Sequence, residues 1–165
     1  MPKIKSPFII AEIGAKYGNI DQIISLIKNI KKIGADAVKF QTYKAKNLSD
    51  KKTFLPLKGK KITQYSFFLK HQLSDKDHIS IIKTCKKIKL KWFSTPAHFT
   101  DVDYLEKFRP TMYKVGSDDL TNIPLIKYIA KKQKDIILST GMSNFEEIEN
   151  AVKAIEKVGN KKINI

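Results

Sequence analysis

The stretch AVKFQTY, residues 37–43, has the apolar flanks of a buried strand but carries two polar residues inside it. Side chains alternate between the two faces of a strand, so Lys39 and Gln41 are expected on one face and Phe40 on the other. A lysine is rarely fully buried without a partner. The stretch therefore predicts a buried strand and a partner for Lys39 inside the fold.

Strands and helices alternate on both sides of this stretch. The apolar runs predict strands at residues 8–14, 37–43, 91–97, 112–117, 135–141 and 163–165. Helical spacing predicts helices at residues 21–33, 62–71, 74–88, 100–107, 123–132 and 143–159, with Asp21, Ser74 and Ser143 as expected caps of the first, third and last. Repeated strand–helix units predict a parallel sheet with right-handed crossovers.

Two architectures have this repeat, an open doubly wound sheet and a (β/α)8 barrel. Polar residues stand near the carboxyl end of every predicted strand: Glu12, Lys39, Gln41, Ser94, Thr95, Lys114, Ser117, Ser139 and Thr140. Chemistry gathers at these ends in parallel α/β proteins, and only a barrel brings five successive ends to one mouth. The loop GAKYGN after the first strand is not a dinucleotide fingerprint. We therefore expect a (β/α)8 TIM barrel, represented by its five N-terminal βα units and the start of strand six.

Length and composition narrow the class of protein. The 165 residues are 42% hydrophobic, enough for one domain with a core. The single cysteine, Cys85, excludes an internal disulfide and a cysteine-based zinc cluster. The sequence contains neither an apolar run of membrane-spanning length nor the pattern of a signal peptide. We expect a cytoplasmic protein that does not enter a membrane.

The formal charge of +16 raises the possibility of nucleic-acid binding. Among the 32 basic residues, however, only Arg109 is an arginine, the residue that reads bases and phosphates with two hydrogen bonds. The lysines are spread over the predicted helices instead of forming one basic tract. The sequence thus favours solvated helix faces and no nucleic-acid partner.

Lys39 and Lys114 are expected to point into the same barrel mouth. Two ammonium groups in one cavity repel each other unless an anion joins them, and nearby hydroxyls add hydrogen-bond donors. Glu12 supplies negative charge, and so do Asp118 and Asp119, which are neighbours in the sequence. These carboxylates could hold hydroxyls or move protons. The residues predict an enzyme acting on a small phosphorylated anion. The alternative is that each lysine forms a structural ion pair with Glu12 or an aspartate.

Five motifs in this order carry a resemblance to a known family: FIIAEIG, GADAVKFQTYKA, FSTPA, YKVGSDDLTNIPLI and ILSTGMS. Together they resemble the N-terminal part of the sialic acid synthase family, which includes the N-acetylneuraminate, legionaminic acid and pseudaminic acid synthases. The resemblance covers roughly residues 7–165. It implies a transferase of carbohydrate biosynthesis that condenses phosphoenolpyruvate with an N-acetylmannosamine-type sugar to a nine-carbon sugar acid, uses a divalent metal such as Mn²⁺, and forms a homodimer when complete.

The resemblance also implies roles for single residues. Lys39 and Lys114 would hold phosphoenolpyruvate, and Glu12 and Asp119 complete the catalytic set. The implied substrate-binding residues are Gln41, Thr95, Ser117 and Ser139. The metal-binding histidines of the family are expected beyond residue 165, so that no metal ligand is assigned here. His71 and His78 are expected to be exposed helix residues.

Three features depart from the family pattern. The first loop, AKYGN at residues 15–19, is one residue shorter than usual, and Asp118 stands where a glycine is usual. The third departure is that residues 1–165 cover only the N-terminal portion of a barrel that needs about 250 residues, without its last strands or the family's C-terminal antifreeze-like domain. We expect this chain alone to bind the anion without forming product, and its open sheet edges to favour association. The alternative function is a truncated, non-catalytic anion-binding remnant.

Overall fold

The computed structural model describes residues 7–14, 18–56 and 61–165. The strands are β1 (Ile10–Glu12), β2 (Ala37–Thr42), β3 (Lys91–Pro96), β4 (Met112–Val115), β5 (Asp135–Leu138) and β6 (Ile163–Asn164). The helices are α1 (Ile20–Lys32), α2 (Ala45–Leu48), α3 (Gln64–His71), α4 (Asp75–Lys87), α5 (Phe99–Glu106), α6 (Ile123–Ala130) and α7 (Phe145–Glu156). Strands and helices thus alternate as the sequence pattern predicts.

The helix caps confirm one prediction and correct two. Ser74 caps α4, as expected. The caps of α1 and α7 are Asn19 and Asn144, so the predictions of Asp21 and Ser143 are wrong. Each asparagine lies in extended backbone, where its side-chain oxygen accepts the N–H three residues further on. Asp21 lies instead in the first turn of α1, where its charge interacts favourably with the helix dipole.

The connection between β2 and α4 contains one predicted and one unpredicted helix. α3 matches the expectation for residues 62–71, whereas the four-residue α2 was not predicted, because too few residues are helical to show a period. The longest helices, α1 and α4, have 13 residues each. Within the described ranges, no helix combines the length and apolarity needed to cross a bilayer.

All six strands belong to one parallel sheet, in the order β1-β2-β3-β4-β5-β6. A doubly wound sheet reverses its strand order at a switch point, whereas a barrel adds each strand beside the previous one. The observed order has no reversal among the described strands. The chain is therefore an α/β fold in which six parallel strands form a half-barrel.

The core lies between the outer face of this sheet and the surrounding helices. Its main fully buried side chains are Val38, Ile27, Ile81, Leu105, Tyr113, Leu125, Ile126, Ile129, Ile136 and Ile155. Phe40 and Trp92 face the same core. Because Phe40 lies on this outer face, the alternation of the strand turns Lys39 and Gln41 of β2 toward the inside of the half-barrel.

Candidate functional site

The carboxyl ends of the strands border a cavity of about 410 Å³. All eight residues predicted for the site line it: Glu12, Lys39, Gln41, Thr95, Lys114, Ser117, Asp119 and Ser139. They come from β1 to β5 and from the segments that directly follow those strands. The structure therefore brings together residues that are more than a hundred positions apart in the sequence, while the role of each stays a prediction.

Lys39 is held by an ion pair at the base of this cavity. Its side chain is 7% exposed, and its Nζ lies 2.7 Å from Oε1 of Glu12, the residue beside it on β1. The same Nζ donates a hydrogen bond of 3.3 Å to Oγ1 of Thr95 on β3. Lys39 thus has the Glu12 partner that the ion-pair alternative expects, while the role of the pair stays a prediction. The Glu12 side chain is 57% exposed, so its carboxylate is also open to a ligand.

Lys114 has a different environment. Its Nζ donates to the carbonyl oxygen of Val115 and to Oγ of Ser139. Among the described residues, no carboxylate lies within ion-pair distance of it. The pKa of Lys114 is lowered from 10.5 to about 8, mainly by burial and then by the charge of Lys39, while the charges of Glu12 and Asp118 act in the opposite direction. The ion-pair alternative therefore does not hold for Lys114, whose ammonium group shares one cavity with that of Lys39.

Two adjacent acids border the cavity on the side of β4. The pKa of Asp119 is raised above its ordinary value. Burial is the largest cause and the charge of Asp118 adds to it, while a hydrogen bond from the Asn122 amide acts in the opposite direction. Asp118 packs over Gly116 so closely that a Cβ at that position would overlap Oδ1 of Asp118. A side chain at position 116 would therefore require the Asp118 carboxylate to move. Both acids line the same cavity as the two lysines.

Not every polar residue at a strand end enters the cavity. Ser94 points to the outer face of the sheet, where its hydroxyl lies 2.8 Å from that of Thr42. Thr140 does not border the cavity either. Their neighbours Thr95 and Ser139 do, because successive residues of a strand face opposite sides.

Comparison with known proteins identifies the family. The family model described as the NeuB family matches residues 26–165 of this chain. The chain belongs to the NeuB family. It is 39% identical to the N,N'-diacetyllegionaminic acid synthase of Campylobacter jejuni over 98% of its own length and 50% of that protein. This NeuB-family chain spans about half the length of the curated relatives it matches.

Solved structures agree on the fold. The NeuB-family chain superimposes on the N-acetylneuraminic acid synthetase of Leptospira borgpetersenii with a TM-score of 0.82 and 24% identity, covering 94% of this chain and 52% of that one. It matches the spore coat polysaccharide biosynthesis protein SpsE of Bacillus subtilis with a TM-score of 0.79 and 27% identity, covering 97% and 43%. These similarities support a half-barrel that corresponds to part of a longer protein.

The histidines of this NeuB-family chain lie outside the cavity. His78 is buried, so the prediction of an exposed helix residue is wrong. It belongs to the apolar face of α4, at helical spacing from Ile81, Ile82 and Cys85, and that spacing is the signal that the prediction missed. His98 caps α5 at a second surface cavity.

The described residues do not form a metal site by themselves. No group of three or more His, Cys, Asp or Glu side chains is positioned among them to hold an ion. The first three residues of the loop AKYGN, residues 15–17, are outside the described ranges.

Among the cavity residues that were not assigned a role from the sequence, three have large side chains. Tyr43 follows β2, Leu48 lies on α2 and Phe68 on α3. Leu48 and Phe68 belong to the long polar connection after β2, whose sequence has no period that would place its side chains at the mouth of the half-barrel. They add apolar surface to the lining of the cavity.

Proposed function

We propose that this chain carries the phosphoenolpyruvate-binding part of a sugar-acid synthase. The reaction condenses phosphoenolpyruvate with an N-acetylated mannosamine-type sugar and water to a nine-carbon sugar acid and phosphate. The observation that carries the proposal is the pair of ammonium groups of Lys39 and Lys114 in one cavity with the hydroxyls of Thr95, Ser117 and Ser139. Such a set of donors suits an anion that bears both a phosphate and a carboxylate.

Each side chain has a proposed part in the reaction. The enol carbon of phosphoenolpyruvate bonds to the aldehyde carbon of the open-chain sugar, water adds at the carbon that bears the phosphate, and phosphate leaves. Lys39 and Lys114 stabilise the charge on the leaving phosphate without transferring a proton. Glu12 and Gln41 contact the sugar. Asp119, whose pKa is raised by burial, takes part in proton transfer or holds a sugar hydroxyl.

We also propose the architecture, the oligomeric state and the cation of the complete enzyme. The half-barrel corresponds to the first part of an eight-stranded barrel, because the strand order is sequential and the relatives are about twice as long. The complete enzyme would be a cytoplasmic homodimer that uses a divalent cation, with Mn²⁺ as the predicted ion and its ligands beyond residue 165. When bound, that ion would polarise the sugar aldehyde.

Calorimetric titration with phosphoenolpyruvate, with and without Mn²⁺, tests the anion site directly. We expect saturable binding to the chain and its loss in Lys114→Ala. Lys127→Ala is the matched control, because Lys127 is an exposed lysine on α6 outside the cavity. Unchanged binding in Lys114→Ala would remove the site from this cavity.

Product analysis after addition of N-acetylmannosamine and Mn²⁺ separates the two candidate functions when it is made on a completed barrel, because the chain alone is expected to form no product in either case. A nine-carbon acid supports the synthase. Saturable binding of phosphoenolpyruvate without product supports the non-catalytic anion-binding alternative. Absence of both overturns the proposal.

A further inference from the structure

Asp118 brings an additional carboxylate to the cavity. The residue lies in the segment after β4, it is exposed, and it lines the cavity that also holds Lys39 and Lys114. Its Oδ1 lies directly over Gly116, where a Cβ would overlap it. Among the described residues, no lysine or arginine comes within ion-pair distance of this carboxylate. The negative charge of Asp118 is therefore not neutralised by a direct partner in the described part of the chain.

The cavity has more carboxylates than ammonium groups. The titratable side chains that line it among the described residues are Glu12, Lys39, Tyr43, Lys114, Asp118 and Asp119. Glu12 pairs with Lys39, whereas Lys114 interacts with Asp118 only at longer range. The charge of Asp118 raises the pKa of Lys114 and so opposes the larger lowering by burial and by Lys39. In the empty cavity, Asp118 thus favours the charged form of Lys114.

The same charge acts in the opposite way on a bound anion. Phosphoenolpyruvate brings a phosphate and a carboxylate into a cavity that already contains the Asp118 carboxylate, and like charges repel each other. Because Asp118 is exposed, water and salt screen this repulsion, so it should change affinity by a small factor. The repulsion grows with the charge of the ligand. It should therefore be stronger for phosphoenolpyruvate than for an anion with one carboxylate and no phosphate.

We propose that Asp118 determines which anions the cavity accepts, because its carboxylate stabilises the ammonium group of Lys114 in the empty cavity and repels highly charged ligands in the occupied one. The inference rests on the proposed function for the identity of the anion, and it adds a residue that sets the affinity for that anion. Asp118 acts through its charge alone and neither transfers a proton nor holds the ligand.

The test compares variants that differ in charge. Asp118→Asn removes the charge and nearly keeps the size of the side chain, whereas Asp118→Glu keeps the charge. Asp135→Asn is the matched control, because Asp135 is an exposed aspartate at the start of β5 that does not line this cavity. Calorimetry measures the affinity for phosphoenolpyruvate, and displacement of phosphoenolpyruvate measures that for pyruvate, which has the carboxylate without the phosphate.

At about pH 7 we expect Asp118→Asn to bind phosphoenolpyruvate about twofold to fivefold more tightly than the unmodified chain, the usual range for one exposed charge interaction. The gain should be smaller for pyruvate and should decrease as salt is added. Asp118→Glu and Asp135→Asn should bind like the unmodified chain. Equal affinity of Asp118→Asn and the unmodified chain would overturn the inference and leave the proposed function standing. Tighter binding in Asp118→Glu as well would show that shape is responsible, and would also overturn it.

The pH profile tests the effect of Asp118 on Lys114. Without the Asp118 charge the pKa of Lys114 should be lower still, so the affinity of Asp118→Asn should begin to fall at a lower pH than that of the unmodified chain. Its advantage should therefore decrease between about pH 7 and about pH 9. A constant advantage over this range would contradict the stabilisation of the Lys114 ammonium group. If the unmodified chain does not bind phosphoenolpyruvate at all, the proposed function fails, and the inference that rests on it fails as well.

Discussion

The lowered pKa of Lys114 makes anion binding sensitive to alkaline pH. Burial is its main cause, the charge of Lys39 adds to it, and the resulting pKa is about 8 instead of 10.5. A lysine with that pKa is about nine-tenths charged at about pH 7 and about one-tenth charged at about pH 9. The phosphate group does not titrate in this range, because its second pKa is about 6. Only the charged form of Lys114 attracts the anion, so affinity is present below this pKa and is lost as the pH rises through it.

The expected size of the effect follows from these fractions. Between about pH 7 and about pH 9 the dissociation constant for phosphoenolpyruvate should rise about tenfold, or about 1.4 kcal/mol. A lysine with the ordinary value of 10.5 would remain charged over the same range and give almost no change. Calorimetry at constant ionic strength measures the constant. Near about pH 8 it should also detect proton uptake on binding, as a dependence of the heat on the ionisation enthalpy of the buffer.

Lys114→Arg is the control for this prediction. A guanidinium group keeps its charge at all these pH values, so the variant should bind with an affinity that is independent of pH, whatever its absolute strength. A flat profile for the unmodified chain would refute the reasoning. An equally steep profile in Lys114→Arg would show that another group is responsible for the pH dependence.

The remaining predictions concern Lys39, His78 and the overall charge. Lys39→Ala should weaken phosphoenolpyruvate binding by about 1.5–3 kcal/mol, the value of one charge-assisted hydrogen bond, and an unchanged calorimetric affinity would contradict this. His78→Phe should lower the free energy of unfolding by about 1–3 kcal/mol in denaturant titrations, because Thr42 and Ser74 lose a buried partner, whereas the more exposed His71→Phe should have little effect. Burial lowers the pKa of His78 below 6.5, so protonation of this residue favours the unfolded chain. The free energy of unfolding should therefore fall as the pH drops below 6.5. The variant His78→Phe should lack this His78-dependent fall. DNA should bind weakly and dissociate at moderate salt in filter-binding assays, and base-specific retention at high salt would contradict a diffuse lysine surface.

The repeat of the fold could be predicted from the sequence because it depends on local patterns. Alternating apolar strands and amphipathic helices are visible in single segments, and the polar residues at the strand ends already favoured the sequential winding that the sheet shows. Helix starts were less certain, since Asn19 competes with Asp21 and Asn144 with Ser143 for the same capping role. Only the backbone conformation before the first turn decides between such neighbours.

The parts of the site that the sequence did not predict depend on contacts between distant segments. The charged residues lie in the strands or directly after them, so the register of the sheet fixes their position. Leu48 and Phe68 lie in a connection without a period, so their place in the cavity depends on how that connection folds back over the strand ends. The same holds for the close approach of the Asp118 carboxylate to Gly116, which is not visible in the sequence.

The alternation of side chains along β2 places the candidate binding residues on one face of the strand and part of the stabilising hydrogen-bond network on the other. Lys39 faces the cavity, whereas Thr42, three residues further on, faces outward and bonds to Ser94 and to His78. In this outer network Nδ1 of His78 donates to the Ser74 carbonyl, so Nε2 accepts from the Thr42 hydroxyl. Because the two sets of side chains lie on opposite faces of one strand, a change in either should affect one property. Variants of His78 should lose stability but keep their affinity for the anion when folded, and Lys114→Arg should alter the pH dependence of binding while the acid sensitivity of the fold stays the same.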